Sequence, residues 1–367
     1  MKRDWLFNWR NRLLADPKFQ AWASRTPIAA KLAKKEANAA FDLCAGFVYS
    51  QVLLACVKVK LLDVLSAGPV AVPEIAARTG LPAEGALRLL KAAAALRLVE
   101  ARGDNTFGLG RVGAALRTNP GVLAMVEHHE IFYADLKDPV ALLKGEASSA
   151  ALGKFWGYAS GDGEVLSHGS VAGYTRLMGA SNALVASQVL DAYPFAQHRV
   201  HLDIGGGDGT FVTAVAVKFP ALTFKLFDLP AVAEVAKARI HAANLDSRIE
   251  VFGGSFLSDA LPRGADIITL LRIIHDHNDE PVRQLLRASR AALQPGGILL
   301  IAEPMSDTAG SETVGDAYFG FYLMAMGSGE PRSAAKISSM VMDAGFQSVR
   351  EVATHLPMQA RLLVATA

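Results

Sequence analysis

The sequence predicts an α/β fold, with a doubly wound parallel sheet in the second half of the chain behind a mainly helical first half. Three observations carry this. Short apolar runs near 199–204, 223–228, 248–252, 265–271 and 297–302 alternate with helical stretches, the rhythm of a sheet built by right-handed crossovers. The first run leads into Leu202-Asp203-Ile204-Gly205-Gly206-Gly207-Asp208-Gly209-Thr210, a glycine-rich turn where a strand passes into a helix. Residues 39–65 repeat Phe41, Ala45, Val48, Val52, Ala55, Val59 and Leu62 at helical spacing, which predicts a long, mostly buried helix.

A chain of 367 residues is long for one core and ordinary for two domains. Residues 1–36 form a basic, Trp-rich arm: nine Lys/Arg stand against Asp4, Asp16 and Glu36, and Trp5, Trp9 and Trp22 are three of the four tryptophans. That composition suits an element resting at a membrane interface, and equally an arm whose tryptophans anchor it on a partner subunit. Residues 37–120 follow as a helical module. Short helices are expected over 71–81, ended by Thr79-Gly80, and over 82–99, with Pro82 near the start. Residues 98–101 and 106–109 then flank a turn-rich Arg102-Gly103-Asp104-Asn105 as a hairpin. Helix, helix, hairpin is the winged-helix pattern. Its second helix offers only Arg88, Lys91 and a run of alanines, too sparse a face for DNA readout. A dimerisation and substrate-wall module is expected in its place. Residues 121–195 read as helical, with a Gly/Ser-rich break near 159–173 and a helix over about 173–193. Residues 196–367 are the ligand-binding α/β domain, whose ligand belongs beyond the carboxyl ends of the strands.

Bulk properties exclude several classes. A net charge of +2 with 20% charged residues gives no field that would recruit nucleic acid. Cys44 and Cys56 are the two cysteines and have no neighbours at metal spacing, so neither a disulfide framework nor a metal site is expected, and the compartment reads as reducing. The best candidate span, residues 47–65, is interrupted by Lys58, Lys60 and Asp63, and no signal-peptide core is visible. A cytoplasmic protein is expected.

The chemistry concentrates in two places. The turn after the first strand fits acidic-x-Gly-x-Gly-x-Gly headed by Asp203, whereas a dinucleotide fingerprint would want glycine where Thr210 stands. Twenty-one residues after Gly207, Asp228 ends the second strand in Phe227-Asp228-Leu229-Pro230, where a carboxylate can accept both ribose hydroxyls. The alternative, a carboxylate that only caps the next helix, ignores that pairing. The second place is Arg272-Ile273-Ile274-His275-Asp276-His277 after the fourth strand, with Ala302-Glu303-Pro304 ending the fifth. His128-His129-Glu130 resembles a metal motif but has no separated third ligand, so it is expected to line a helix or the substrate entrance.

These residues together resemble the plant-type small-molecule O-methyltransferases and their bacterial relatives, from the winged-helix region to the C-terminus. The resemblance implies a Rossmann-like methyltransferase domain binding S-adenosylmethionine (SAM), no metal, and a winged-helix dimerisation domain forming a homodimer. It assigns catalysis to His275 as general base, oriented by Glu303 and flanked by Glu330. It assigns the donor site to Asp203, Gly205, Gly207, Asp228, Leu229, Ser255, Phe256 and Arg272. Ser255 stands where relatives have an acidic residue, and His277 where they have Trp. The acceptor pocket is expected from Met178, Phe319, Tyr322 and Met326. More narrowly, Trp9-Arg10-Asn11-Arg12-Leu13, Ala39-Ala40-Phe41-Asp42-Leu43 and Tyr49-Ser50-Gln51 are similar to the bacterial carotenoid branch. That branch methylates the tertiary hydroxyl of hydroxylated acyclic carotenoids in spheroidene- and spirilloxanthin-type biosynthesis. It implies a small apolar hydroxylated acceptor and peripheral contact of residues 1–36 with a photosynthetic membrane. A quinone, polyketide or phenolic acceptor is the alternative within the class, and a SAM-binding winged-helix regulator the alternative outside it.

Overall fold

The computed structural model describes residues 2–146, 151–156, 179 and 182–367, and the chain divides into two compact units, Met1–Thr118 and Asn119–Ala367.

The first unit opens with three helices, α1 (Lys2–Ala15), α2 (Pro17–Arg25) and α3 (Pro27–Lys58). Asp16 caps α2 by accepting from the Lys18 amide at 2.9 Å, with Pro17 at its first turn. The long helix differs from expectation in two ways. It starts at Pro27 and stops at Lys58, because Lys60 adopts a left-handed φ of 55° before α4 (Leu61–Val64). It is also largely exposed in this chain: Phe41, Leu43 and Phe47 are 65%, 87% and 72% exposed. Its Ala29–Lys58 stretch is long and apolar enough, by length and composition, to cross a membrane, which the charges beyond Lys58 concealed. Then come β1 (Val70–Ala71), α5 (Val72–Thr79), α6 (Ala83–Ala95), β2 (Val99–Ala101), β3 (Thr106–Leu109) and α7 (Arg111–Arg117). Gly80, with φ +71°, ends α5. The hairpin β2–β3 gains β1 on its outer edge, giving the order β1-β3-β2 around a core of Leu61, Leu65, Ile75, Leu90, Val99 and Phe107.

The second unit begins with α8 (Pro120–Asp135), α9 (Pro139–Leu143), α10 (Ala151–Phe155) and α11 (182–192). The expected break at 159–173 and the start of the helix before α11 lie outside the described residues, as does Met178. Alternation follows: β4 (Val200–Ile204), α12 (Thr210–Lys218), β5 (Thr223–Asp228), α13 (Pro230–Ala242), β6 (Ile249–Gly253), β7 (Ala265–Leu271), α14 (Asp279–Ala292) and β8 (Leu293–Glu303). A π-helix (Thr313–Phe319) runs into α15 (Gly320–Met326), and α16 (Ala334–Asp343), β9 (Ser348–Val352) and β10 (Arg361–Thr366) close the chain. The seven strands order as β6-β5-β4-β7-β8-β10-β9. The five expected strands are parallel, but β10 pairs antiparallel with both β8 and β9, so the sheet is mixed. The short 353–360 connection permits only an antiparallel pair.

Both faces are covered, as side-chain alternation requires. Ile268 and Leu270 of β7 pack with α14 and α16, while Ile267 and Leu271 pack with α11, α12 and α13. The reversal of strand order lies between β4 and β7, and Gly205, Asp228, Arg272 and Glu303 all stand at carboxyl ends of strands.

Candidate active site

Donor-side chemistry begins at the turn after β4. Gly205 has φ +67°, and a Cβ there would fall 2.3 Å from Ile273 Cδ1, so only glycine lets the turn approach the β7 loop. Asp228 holds this turn from the neighbouring strand end: one carboxylate oxygen accepts the Gly207 amide and the other the Leu229 amide, both at 2.7 Å. Burial pushes its pKa up to about 6 against the pull of those two N–H groups. Gly205, Gly207, Asp228, Leu229, Ser255, Phe256 and Arg272 all line one cavity of about 100 Å³. The Ser255 amide is fixed by Asp259 Oδ2 at 2.8 Å, and the Phe256 ring meets His277 edge-to-face at 5.0 Å.

Asp203 is placed differently from expectation, and the correction is one of depth. It does not line the cavity but lies beneath the turn, 2% exposed, accepting the Thr269 hydroxyl at 2.5 Å. Period-two alternation points the last side chains of β4 into the sheet layers rather than out of the strand end. Burial, with the Asp228 charge adding and the Thr269 bond opposing, pushes its pKa up to about 7. Among the described residues its second oxygen has no partner, and neither does Asn182 Oδ1, which does line the cavity. Two orphaned acceptors at a glycine turn suit a cationic N–H donor. With Asp228 for vicinal hydroxyls and Leu229, Phe256 and His277 for a flat base, the residues fit the SAM that the fold implies.

His275 sits in a 3₁₀ turn, Ile274–Asp276, directly after β7. Its position is over-determined. His275 Nδ1 bonds Glu303 Oε2, and Nε2 lies 3.1 Å from Asp276 Oδ1. The other Glu303 oxygen accepts the amides of Ile273 and Ile274, each at 2.8 Å, so one carboxylate orients both the ring and the peptide that carries it. Burial works against the charged ring, but the Asp276 and Glu303 carboxylates outweigh it and raise the His275 pKa, with Arg272 opposing. Arg332, 2% exposed, clamps the turn from behind by donating to the carbonyls of Ile274 and His277 at 2.8 Å and to Asp279 at 2.9 Å.

Glu330 is corrected more firmly. Its amide donates to the His275 carbonyl at 3.1 Å, but its carboxylate turns away to Lys336 and Arg332. It lines neither cavity. Lys336 and Arg332 together hold this half-exposed carboxylate away from both cavities.

Acceptor-side residues come from a different set of elements. Phe319, Tyr322 and Met326 line a cavity of about 320 Å³ that reaches His275, with Met125, Trp156 and Leu184 on other walls. Arg272 and Asp276 line both this cavity and the donor cavity, so the two meet beside His275. Arg272 holds a left-handed φ of 57° there, a strain of about 1–3 kcal/mol typical of functional sites. His129 lines the cavity too, and His128 bonds the Tyr322 hydroxyl at 2.8 Å. Among the described residues no group of three or more metal-ligating side chains occurs. Asp276 was legible beside His275 in the sequence, whereas Asn182, Tyr318, Gln359 and Arg332 carry no sequence signal as site residues.

The arrangement brings an electrophile site and a nucleophile site together across a buried, carboxylate-oriented imidazole. A family model for the O-methyltransferase domain matches residues 133–347, and one for the O-methyltransferase dimerisation domain matches residues 41–119. Demethylspheroidene O-methyltransferase of Cereibacter sphaeroides is 43% identical over 339 residues, covering 92% of this chain and 89% of that protein. The enzyme of the same name from Rhodobacter capsulatus is 38% identical over 358 residues, covering 98% and 89%. The crystal structure of a methyltransferase in calicheamicin biosynthesis, in its SAH-bound form, superposes with a TM-score of 0.75 at 26% identity, over 90% of this chain and 98% of that one. With the glycine turn, the Asp228 carboxylate that holds it and the buried His275–Glu303 pair in place, the chain belongs to the SAM-dependent O-methyltransferase family, with that family's dimerisation domain ahead of its catalytic domain.

Proposed function

We propose that this enzyme methylates the tertiary hydroxyl of a hydroxylated acyclic carotenoid, with His275 as general base. The observation that carries the reading is the apolar cavity of about 320 Å³ ending on His275, Arg272 and Asp276. The two demethylspheroidene O-methyltransferases in the same family add support. SAM supplies an electrophilic methyl on its own sulfonium leaving group. The protein's task is therefore to place an oxygen in line and remove its proton. Placement of that kind is worth roughly 7–11 kcal/mol. A tertiary alcohol is far less acidic than a phenol, so its proton leaves during or after methyl transfer. His275 Nε2 takes it, and Glu303 on Nδ1 and Asp276 beside Nε2 hold the resulting imidazolium.

The test is methyl transfer from labelled SAM to a detergent-dispersed 1-hydroxy carotenoid, with wild type and His275→Ala side by side. A methoxy carotenoid formed by wild type alone supports acceptor and base together. No product despite measurable donor binding moves the acceptor to phenols or quinones and overturns the carotenoid reading.

The same reading makes the enzyme a homodimer through its first unit, where the exposed apolar face of α3 falls within the dimerisation match. It also places residues 1–36 against the anionic cytoplasmic surface of a membrane. Trp5, Trp9 and Trp22 are 67%, 55% and 56% exposed there, among an excess of basic residues. Flotation of the full chain with anionic vesicles, lost on deleting residues 1–26, is expected; equal flotation of the truncated chain overturns the contact.

A further inference from the structure

The acceptor cavity that reaches His275 also carries a polar feature with no part in the proton transfer described above. On α8, His128 and His129 are consecutive; across from them Tyr318 and Tyr322 are one helical turn apart. Each imidazole meets one phenol, His128 Nε2 to Tyr322 Oη at 2.8 Å and His129 Nε2 to Tyr318 Oη at 2.7 Å. The two pairs look alike but are completed differently. Trp156 Nε1 donates to Tyr322 Oη at 2.9 Å, so that hydroxyl already has two partners, Trp156 and His128. Among the described residues, Tyr318 has His129 alone as a hydrogen-bond partner. A phenol beside a neutral imidazole keeps one further capacity, as donor or acceptor depending on the imidazole tautomer. Both imidazoles stay neutral, since burial lowers His129 and burial together with His129 brings His128 to about 4.

Local backbone structure puts this hydroxyl on the wall. The segment Thr313–Phe319 is a π-helix, a form that concentrates at functional sites. Val314 and Phe319, five residues apart, both face the cavity, as do Tyr318 and Tyr322, four apart. One helical rod thus presents an apolar pair and a phenol pair to the same space. Tyr318 also lies near the reaction centre: its ring is 5.0 Å from Phe319, whose ring is 5.7 Å from His275.

We propose that the Tyr318 hydroxyl, backed by His129, is the hydrogen-bonding anchor for the acceptor's oxygen, and that it makes the cavity select hydroxylated molecules over hydrocarbons of the same shape. This rests on the reading of the acceptor as an apolar molecule carrying a hydroxyl. Tyr318 is then a specificity-determining residue. It acts on binding and orientation, while His275 takes the proton. His129 acts through Tyr318, so removing either removes one interaction.

The probes are a 1-hydroxy acyclic carotene and the hydrocarbon lacking that hydroxyl. Each is titrated into S-adenosylhomocysteine-saturated full-length protein and followed by the polyene absorption shift, with turnover measured in parallel. Wild type is expected to bind the hydroxylated polyene about tenfold more tightly, the usual worth of one buried hydrogen bond. Tyr318→Phe keeps the ring and brings the preference to within about twofold, raising KM more than it lowers kcat. His129→Phe does the same, and the double variant loses no more than either single one. Tyr322→Phe removes the hydroxyl shared by His128 and Trp156 and lowers the unfolding temperature. Turnover by wild type with an unchanged preference in Tyr318→Phe overturns the anchor and leaves the acceptor reading standing. A wild type that neither prefers nor methylates the hydroxylated polyene overturns both.

Discussion

His275 lies between two carboxylates, and the sign of their effect is testable. Asp276 and Glu303 stabilise the imidazolium beyond what burial takes away, while in the proposed mechanism the working base is the neutral ring. Activity is therefore expected to rise with pH along a limb lying above the ordinary imidazole value of about 6.5. Asp276→Asn removes one stabilising charge and should move that limb to lower pH; a limb that stays in place separates Asp276 from the base. His275→Ala is expected to lower kcat by about 10²–10⁴-fold with S-adenosylhomocysteine affinity retained. Glu330→Gln should cost far less than Glu303→Gln, because the Glu330 carboxylate is committed to Lys336 and Arg332. On the donor side, the raised Asp228 pKa of about 6 means its carboxylate is neutralised as pH falls through that value. Nucleoside affinity, read by calorimetry, should weaken below about pH 6 and lose that dependence in Asp228→Asn. At this scale the sequence named Asp228, His275 and Glu303 because each ends or follows a strand. It misjudged Glu330 because adjacency along the chain does not determine which way a half-exposed carboxylate turns.

At the scale of elements, the base turn depends on a segment fifty residues away. Arg332 satisfies three acceptors around it, and Gly329, with φ +88°, lies so close that a Cβ would fall 2.1 Å from the His275 carbonyl oxygen. Gly329→Ala is expected to lower kcat by displacing that turn, with modest loss of donor affinity. Arg332→Met leaves Asp279 without its guanidinium, the His277 carbonyl without its donor and the Ile274 carbonyl with only the 3.4 Å bond from the His277 amide, at a cost of about 3 kcal/mol, visible as a lower denaturation midpoint. An unchanged midpoint would show that solvent reaches the turn. Neither residue carries a sequence signal, since a Gly-Glu-Pro-Arg run reads as a loop. The parallel strands were legible because a continuous apolar run followed by a glycine turn is a local pattern. The antiparallel β10 was not, because its buried Leu362–Ala365 run looks the same whichever neighbour it pairs with.

For the whole molecule, the decisive feature is an apolar helix face that this chain leaves uncovered. Phe41, Leu43 and Phe47 in α3 are too large an exposed stripe for an isolated chain in water. They lie within the residues matched by the dimerisation model. Deleting residues 1–100 is expected to give aggregate or a monomer of low activity on a sizing column. A well-behaved, fully active monomer would sink the homodimer. Phe47→Glu is the milder test and should shift the sedimentation coefficient towards monomer in a concentration-dependent way.

Sequence by itself determined the α/β class, the glycine turn, the Asp228 carboxylate at the end of the second strand and the His275–Glu303 pair, because each is written in residues adjacent along the chain or one strand-and-helix unit apart. Tertiary structure alone decided that Asp203 lies beneath the donor cavity, that Arg332 holds the base turn, and that Tyr318 and His129 meet across 189 residues. Those outcomes depend on which buried polar groups find partners once the layers pack, and hydrogen-bond satisfaction is a property of the assembled core that no local pattern encodes.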